Sequence, residues 1–190
     1  MDARSALRTT YARAEAVLAD VDPSQYRLPT PCTEWDVRTL MNHMVAVLEG
    51  FAVVLAGAKP DWAAPVLGEA PVGDFRRAAA RNLLAWAEPG AAERPSPKLP
   101  GMRLIDVNLL DTLMHTWDLA TAAGHPADLD PAVVAFVHER WRAAPLESSR
   151  AARAFGPEIA VPLDAPALER LLGLLGRPAG GSPLTMASEQ

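Results

Sequence analysis

Apolar residues recur every three or four positions along much of the chain, which is the spacing of an α-helix with one buried face. The spacing predicts four long helices, at about residues 3–19, 33–56, 74–87 and 103–123. Two shorter helices follow, one opened by Asp130 and Pro131 and one opened near Asp164. Proline-rich stretches separate the helices and predict long irregular connectors, at residues 20–31, 57–73 and 88–101.

No run of alternating polar and apolar residues is long enough to predict a sheet, so the predicted fold class is all-α. Four long helices with irregular connectors indicate a four-helix bundle, followed by a short C-terminal arm and helix at about residues 150–176. We expect one domain over residues 1–178 and a disordered tail over residues 179–190.

The second helix carries both a start signal and a histidine on its buried face. Thr33 and Asp36 are spaced as a capping box, which predicts that the helix begins at Thr33. His43 falls on the apolar stripe of this helix rather than opposite it, beside Leu40, Met44, Val47, Phe51 and Val54.

The fourth helix is apolar on nearly every side, which is typical of a helix buried inside a bundle. It nevertheless carries Asp111, His115 and Asp118 at spacings of four and three residues, so all three lie on one face. Burying ionisable groups is costly unless they are paired or bind a metal. This conflict is the main functional signal in the sequence.

His43, Asp111 and His115 converge if the second and fourth helices are neighbours. Two imidazoles and one carboxylate suit a divalent metal, and three protein ligands leave a position open for water or substrate. We expect zinc first, while nickel, iron and manganese suit the same donors. The alternative is a buried hydrogen-bond network without a metal.

The remaining polar candidates are interpreted as structural. Cys32, the only cysteine, is expected to be a small buried apolar residue rather than a reactive thiol. His138 is expected at the surface of its helix. Asp118 is expected either to support His115 from behind or to pair with Arg38.

Composition excludes several classes of function. The chain of 190 residues has a net charge of −5, and its basic residues are scattered. This pattern predicts no basic surface that would bind nucleic acid or an anionic membrane. The N-terminus lacks the apolar core of a signal peptide, no apolar run looks long enough to span a bilayer, and a single cysteine allows no disulfide within the chain. We therefore expect a cytoplasmic protein, with the oligomeric state open and a homodimer as one option.

Three motifs follow one another along the chain. Residues 30–43 read TPC-x-x-W-x-V-R-x-L-x-x-H, residues 115–120 read HTWDLA, and residues 155–177 run from Phe-Gly-Pro to Leu-Gly-Arg. In this order they resemble the mycothiol-dependent maleylpyruvate isomerase N-terminal superfamily, also called DinB-like. The third motif is similar to the C-terminal segment of an actinobacterial-type branch, and the resemblance covers nearly the whole chain.

This resemblance implies a DinB-like four-helix bundle with a divalent metal, usually zinc or nickel, bound near one end. The family's ligands are a histidine on the second helix and a Glu-x-x-x-His pair on a later one, and they correspond to His43, Asp111 and His115. The carboxylate is Asp here, where the family has Glu. The isomerase relatives also carry a larger C-terminal domain, for which the 60 residues after Asp130 are too few.

The resemblance further implies an isomerase or transferase that uses mycothiol, a low-molecular-weight thiol, together with an electrophilic small molecule. The metal would activate the thiol as a thiolate, and no residue is assigned as general acid or base. The loop 57–73, with Trp62, is expected to be a pocket lid. A non-catalytic metal-binding or stress-related bundle is the second hypothesis, and a metal-free bundle that acts through partners is the third.

Overall fold

The computed structural model describes residues 1–32, 35–151 and 154–178. Four long helices are present, namely α1 (Ala3–Asp20), α2 (Val37–Leu55), α3 (Pro71–Ala87) and α4 (Leu104–Ala123). Three shorter helices follow, namely α5 (Pro131–Trp141), α6 (Glu147–Ala151) and α7 (Ala167–Leu174). Within the described ranges no strand forms, which confirms the all-α prediction, and only isolated bridges join Pro29 to Asp36 and Pro95 to Arg103.

The long helices form a four-helix bundle in which α1 and α2 each pack against both α3 and α4. Helix α5 packs on α4, and α7 packs on α5, so the C-terminal part of the chain extends the same apolar core. Helix α4 is the most buried element, since 15 of its 20 residues are buried. The second and fourth long helices are therefore neighbours, as convergence of His43 with Asp111 and His115 requires.

A buried polar cluster joins all four long helices at one level of the core. The Tyr11 hydroxyl lies 2.8 Å from Asn82 Oδ1 and 3.0 Å from Asn108 Oδ1. The Trp86 indole N–H donates to Asn108 Oδ1 at 2.8 Å, and the Asn82 amide donates to the Leu48 carbonyl at 2.8 Å. Since buried polar groups are costly without partners, these bonds select one register of the helices over alternatives.

Helix α2 begins later than the capping-box pattern predicts. Its N-cap is Asp36, whose carboxylate accepts the Thr39 backbone N–H at 2.8 Å. The prediction of a start at Thr33 was wrong, because the first helical residue is Val37. Thr33 and Glu34 themselves lie outside the described residues.

The C-terminal part agrees with the predicted arm and helix but adds one element. The arm crosses α7, with Ile159 N–H donating to the Gly173 carbonyl at 2.9 Å and Gly156 N–H donating to the Leu175 carbonyl at 3.1 Å. Helix α6 was not predicted, because its five residues are too short to show a period. The predicted tail over 179–190 lies outside the described residues.

Among the helices of the described residues, α2 alone is long and apolar enough to cross a membrane by length and composition. Ten of its 19 residues are buried against the rest of the bundle. The core helix of a bundle passes the same test, so this signal is weak.

Replacing the N-cap tests the observed start of α2. We expect Asp36→Ala to lower the free energy of unfolding by about 1 kcal/mol, because the Thr39 N–H loses its acceptor. Asp36→Ser, which keeps an acceptor oxygen, should stay near the wild type. Urea unfolding followed by circular dichroism measures both, and an equal loss in the two variants would contradict the assignment.

Candidate metal centre

Helices α2 and α4 bring the three predicted ligands together at their shared interface. His43 Nε2 lies 3.4 Å from Asp111 Oδ1, and His115 Nε2 lies 3.6 Å from the same oxygen. One donor atom from each residue lies within 4.8 Å of the others, which is a spacing that one metal ion can span. The sequence thus identified three side chains that the fold places at one point.

The donor set is buried on one side and open on the other. The side chains of His43, Asp111 and His115 are 20%, 25% and 11% exposed. The second carboxylate oxygen of Asp111, Oδ2, is buried and has no hydrogen-bond partner among the described residues. Burying a carboxylate oxygen without a hydrogen-bond donor costs free energy, and a cation bound at this point would supply the missing partner.

Aromatic rings hold the two imidazoles in place. The Trp35 ring lies 4.4 Å from the His43 ring and 5.6 Å from the His115 ring, measured between centroids. The two imidazoles meet edge to face at 85°, with centroids 4.8 Å apart. Trp35 is therefore a wall of the site, which fixes the direction of the ring nitrogens.

A second group of donors lies behind His115. Its Nδ1 is 2.9 Å from Asp118 Oδ2, and the Cys32 thiol lies 3.3 Å from that oxygen and 3.8 Å from Nδ1. The Arg177 guanidinium bonds the other Asp118 oxygen and approaches Cys32 Sγ at 3.9 Å. This group already contains a cation, so the group of His43, Asp111 and His115 is the better place for a metal.

The positive charge of His115 and the negative charge of Asp111 stabilise each other. Burial by itself lowers the pKa of His115, but the Asp111 charge and the hydrogen bonds to Asp118 and Cys32 outweigh it and raise the pKa to about 10. Burial opposes ionisation of Asp111, yet the neighbouring imidazoles hold the pKa of that carboxyl below its usual value. Without a metal, both pKa shifts favour a protonated His115 beside an ionised Asp111.

The expectations for Cys32 and His138 were wrong, while one of the two alternatives for Asp118 is confirmed. Cys32 is half-buried in a polar cluster, not a small apolar core residue. Asp118 supports His115 and does not pair with Arg38, whose guanidinium lies over the Tyr26 ring at 5.4 Å. His138 is only 8% exposed, because α7 packs against its helix.

Sequence reasoning missed the contribution of Cys32 and Arg177 to the site. Arg177 is 59 residues beyond Asp118, and no periodicity links the two positions. Cys32 precedes α2 in an irregular segment, where side-chain direction has no repeat. The only available signal was an aspartate on a buried helix, which requires a cation from somewhere in the chain.

The loop between α2 and α3 is anchored beside the site. The Asn42 side chain accepts the backbone N–H groups of Val66 and Leu67 at 2.9 and 3.0 Å and donates to the Ala64 carbonyl at 3.0 Å. Trp62 packs on Phe51, about two helical turns along α2 from His43. The predicted role of this loop as a lid stays a prediction.

Comparison with known proteins places the chain in a family. Residues 7–120 match the family described as mycothiol maleylpyruvate isomerase N-terminal domain, a range that includes His43, Asp111 and His115. Two uncharacterized proteins of Mycobacterium tuberculosis, from strains CDC 1551 / Oshkosh and ATCC 25618 / H37Rv, are each 32% identical over 168 residues. The matched region covers 85% of this chain and 90% of each relative. No solved structure gives a significant match.

The raised pKa of His115 predicts how the stability of the metal-free protein depends on pH. The folded state holds the proton more tightly than the unfolded chain, whose histidine titrates near 6.5. This contribution is complete below about pH 6.5 and is lost as the pH rises toward about 10.

Urea unfolding after chelator treatment, at intervals between pH 6 and about 10, measures this effect. The stability difference between the wild type and His115→Gln should shrink with rising pH, because the variant has no such proton. A difference that is constant across the range would show that His115 is not held as the cation.

Proposed function

Because the chain belongs to the mycothiol maleylpyruvate isomerase N-terminal domain family, we propose that it is a divalent-metal-binding enzyme that uses a low-molecular-weight thiol. His43, Asp111 and His115 hold the metal in this proposal, and mycothiol is the thiol. The reaction is an isomerisation or a transfer on an electrophilic small molecule, and the protein acts in the cytoplasm.

The observation that carries the proposal is Asp111 Oδ2, which has no hydrogen-bond partner in the described part of the chain and lies beside two convergent imidazole nitrogens. Two nitrogens and one oxygen are donors that zinc accepts, and nickel is the second choice. The arrangement differs from the family pattern in having Asp111, whose side chain is one methylene shorter than the expected Glu. Both imidazoles approach Asp111 Oδ1, at 3.4 and 3.6 Å, which supports a place for the shorter carboxylate in the donor set.

The open side of the site favours catalysis over a purely structural role. A divalent ion held there would lower the pKa of a bound thiol and so supply a thiolate at neutral pH. The His43 and Asp111 side chains, which are 20% and 25% exposed, leave an approach for small molecules. In an isomerisation the thiol adds to the substrate and leaves again, whereas in a transfer it stays bonded to the product.

A non-catalytic metal-binding bundle is the second candidate, and one observation favours it. His43 lies on α2, while Asp111 and His115 lie on α4, so a bound metal would connect two helices that already pack together. Such a connection stabilises a fold whether or not a reaction occurs. The two candidates differ in whether a thiol binds at the open side.

Substitution of the donors tests metal binding directly. We expect the wild type to bind close to one equivalent of zinc, and His43→Ala, Asp111→Asn and His115→Ala each to weaken binding by at least about tenfold, since each removes a ligand. His125→Ala, which alters a histidine in the turn after α4, is the control and should bind zinc normally. Competition with a chromophoric chelator gives the affinities. Full occupancy in His115→Ala would overturn the ligand assignment.

A thiol titration separates the enzyme from the structural candidate. We expect mycothiol to bind the zinc-loaded protein and to perturb the visible spectrum of a cobalt-substituted sample, because a sulfur donor joins the ion. Turnover with maleylpyruvate-like and other electrophiles should depend on the thiol. Absence of thiol binding and turnover, combined with a large fall in melting temperature on metal removal, would support the structural candidate instead.

A further inference from the structure

We propose that Arg177 is a positioning residue for the candidate ligand His115, acting through Asp118. This inference rests on the proposed metal site, and it assigns the C-terminal helix a role there. The three residues form one chain of contacts, from the guanidinium of Arg177 through both oxygens of Asp118 to Nδ1 of His115.

Asp118 is completely buried, and its two oxygens have separate partners. One oxygen accepts from the Arg177 guanidinium, and the other lies 2.9 Å from His115 Nδ1 and 3.3 Å from the Cys32 thiol. A buried carboxylate requires a nearby cation or several hydrogen bonds to remain ionised. The Arg177 side chain is only 10% exposed, so solvent screens this pair weakly.

The Asp118 contact fixes which nitrogen of His115 faces the site. When Nδ1–H donates to Asp118, the ring directs Nε2 toward Asp111, 3.6 Å away. A carboxylate behind a ligating histidine sets both its tautomer and its ring orientation. Asp118 can do so only while it is itself held, and Arg177 holds it.

The C-terminal end of α7 sets the position of the Arg177 guanidinium. The Gly176 N–H donates to the Gly173 carbonyl at 3.0 Å, and the Arg177 N–H donates to the Leu172 carbonyl at 2.8 Å. These two bonds form a Schellman motif. Gly176 has a φ of +72°, and a Cβ there would lie 2.5 Å from both the Gly156 carbonyl carbon and the Pro157 oxygen. The helix stop therefore fixes the position from which Arg177 reaches Asp118.

The test compares Arg177→Met with Arg177→Lys and with a matched control. Arg140→Met is the control, because Arg140 also pairs with a buried aspartate of α4, Asp106, at 2.6 Å, through a contact separate from His115. Zinc affinity is measured by chelator competition on samples whose folding is checked by circular dichroism. We expect about 10- to 100-fold weaker binding in Arg177→Met, a smaller loss in Arg177→Lys and a change within about twofold in Arg140→Met.

A second readout needs no metal. In the chelated wild type, we expect a slowly exchanging Nδ1–H resonance of His115 in nitrogen–proton correlation spectra, because that proton is buried against Asp118. The resonance should broaden or vanish in Arg177→Met, be retained in part in Arg177→Lys and persist in Arg140→Met. A general loss of stability would weaken the resonance in both methionine variants, whereas loss of the Asp118 contact that positions His115 would weaken it only in Arg177→Met.

Failure of the Arg177 inference and failure of the proposed function give different results. Unchanged affinity together with an unchanged Nδ1–H resonance in Arg177→Met would overturn the inference, as would equal losses in Arg140→Met. If the wild type binds neither zinc nor nickel, the proposed function fails. In that case the Nδ1–H resonance still decides whether Arg177 positions His115.

Discussion

The structure depends on one constraint, which is that α4 must be buried while it carries charge. Fifteen of its 20 residues are buried, including Asp106 and Asp118, which are 1% and 0% exposed. Each of its aspartates is matched by a group from another segment. Arg140 of α5 pairs with Asp106, His43 of α2 approaches Asp111, and Arg177 after α7 pairs with Asp118.

These ion pairs hold the segments that surround the site against α4. Removing one partner of a buried ion pair costs about 3–5 kcal/mol, because the other charge remains buried without compensation. The segments that supply the partners are therefore held against α4 by charge as well as by apolar contact. The Asp111 pair is the exception, since its side chains are partly exposed and Oδ2 has no partner within residues 1–32, 35–151 and 154–178, which is why we propose a ligand-binding role there.

Much of this arrangement was predictable from local pattern. The helical period predicted the four long helices, and the spacing of Asp111 and His115 placed both on one face, since residues four apart are neighbours on a helix. His43 was identified because it interrupts an apolar stripe. The start of α2 was misplaced, since Thr33 and Asp36 are both residue types that cap helices, and it is Asp36 that accepts the Thr39 N–H.

The sequence by itself determined the helical class and placed His43, Asp111 and His115 on core-facing helix positions, because these features follow from periodicities that span only one or two helical turns. That the three side chains meet depends on the packing of α2 against α4. Only the tertiary structure decided which groups complete the site. Cys32 and Arg177 come from an irregular segment and from the far end of the chain, and both meet at Asp118. A buried charge dictates that a partner must exist, but its identity depends on which distant segment the packing brings within reach of the carboxylate.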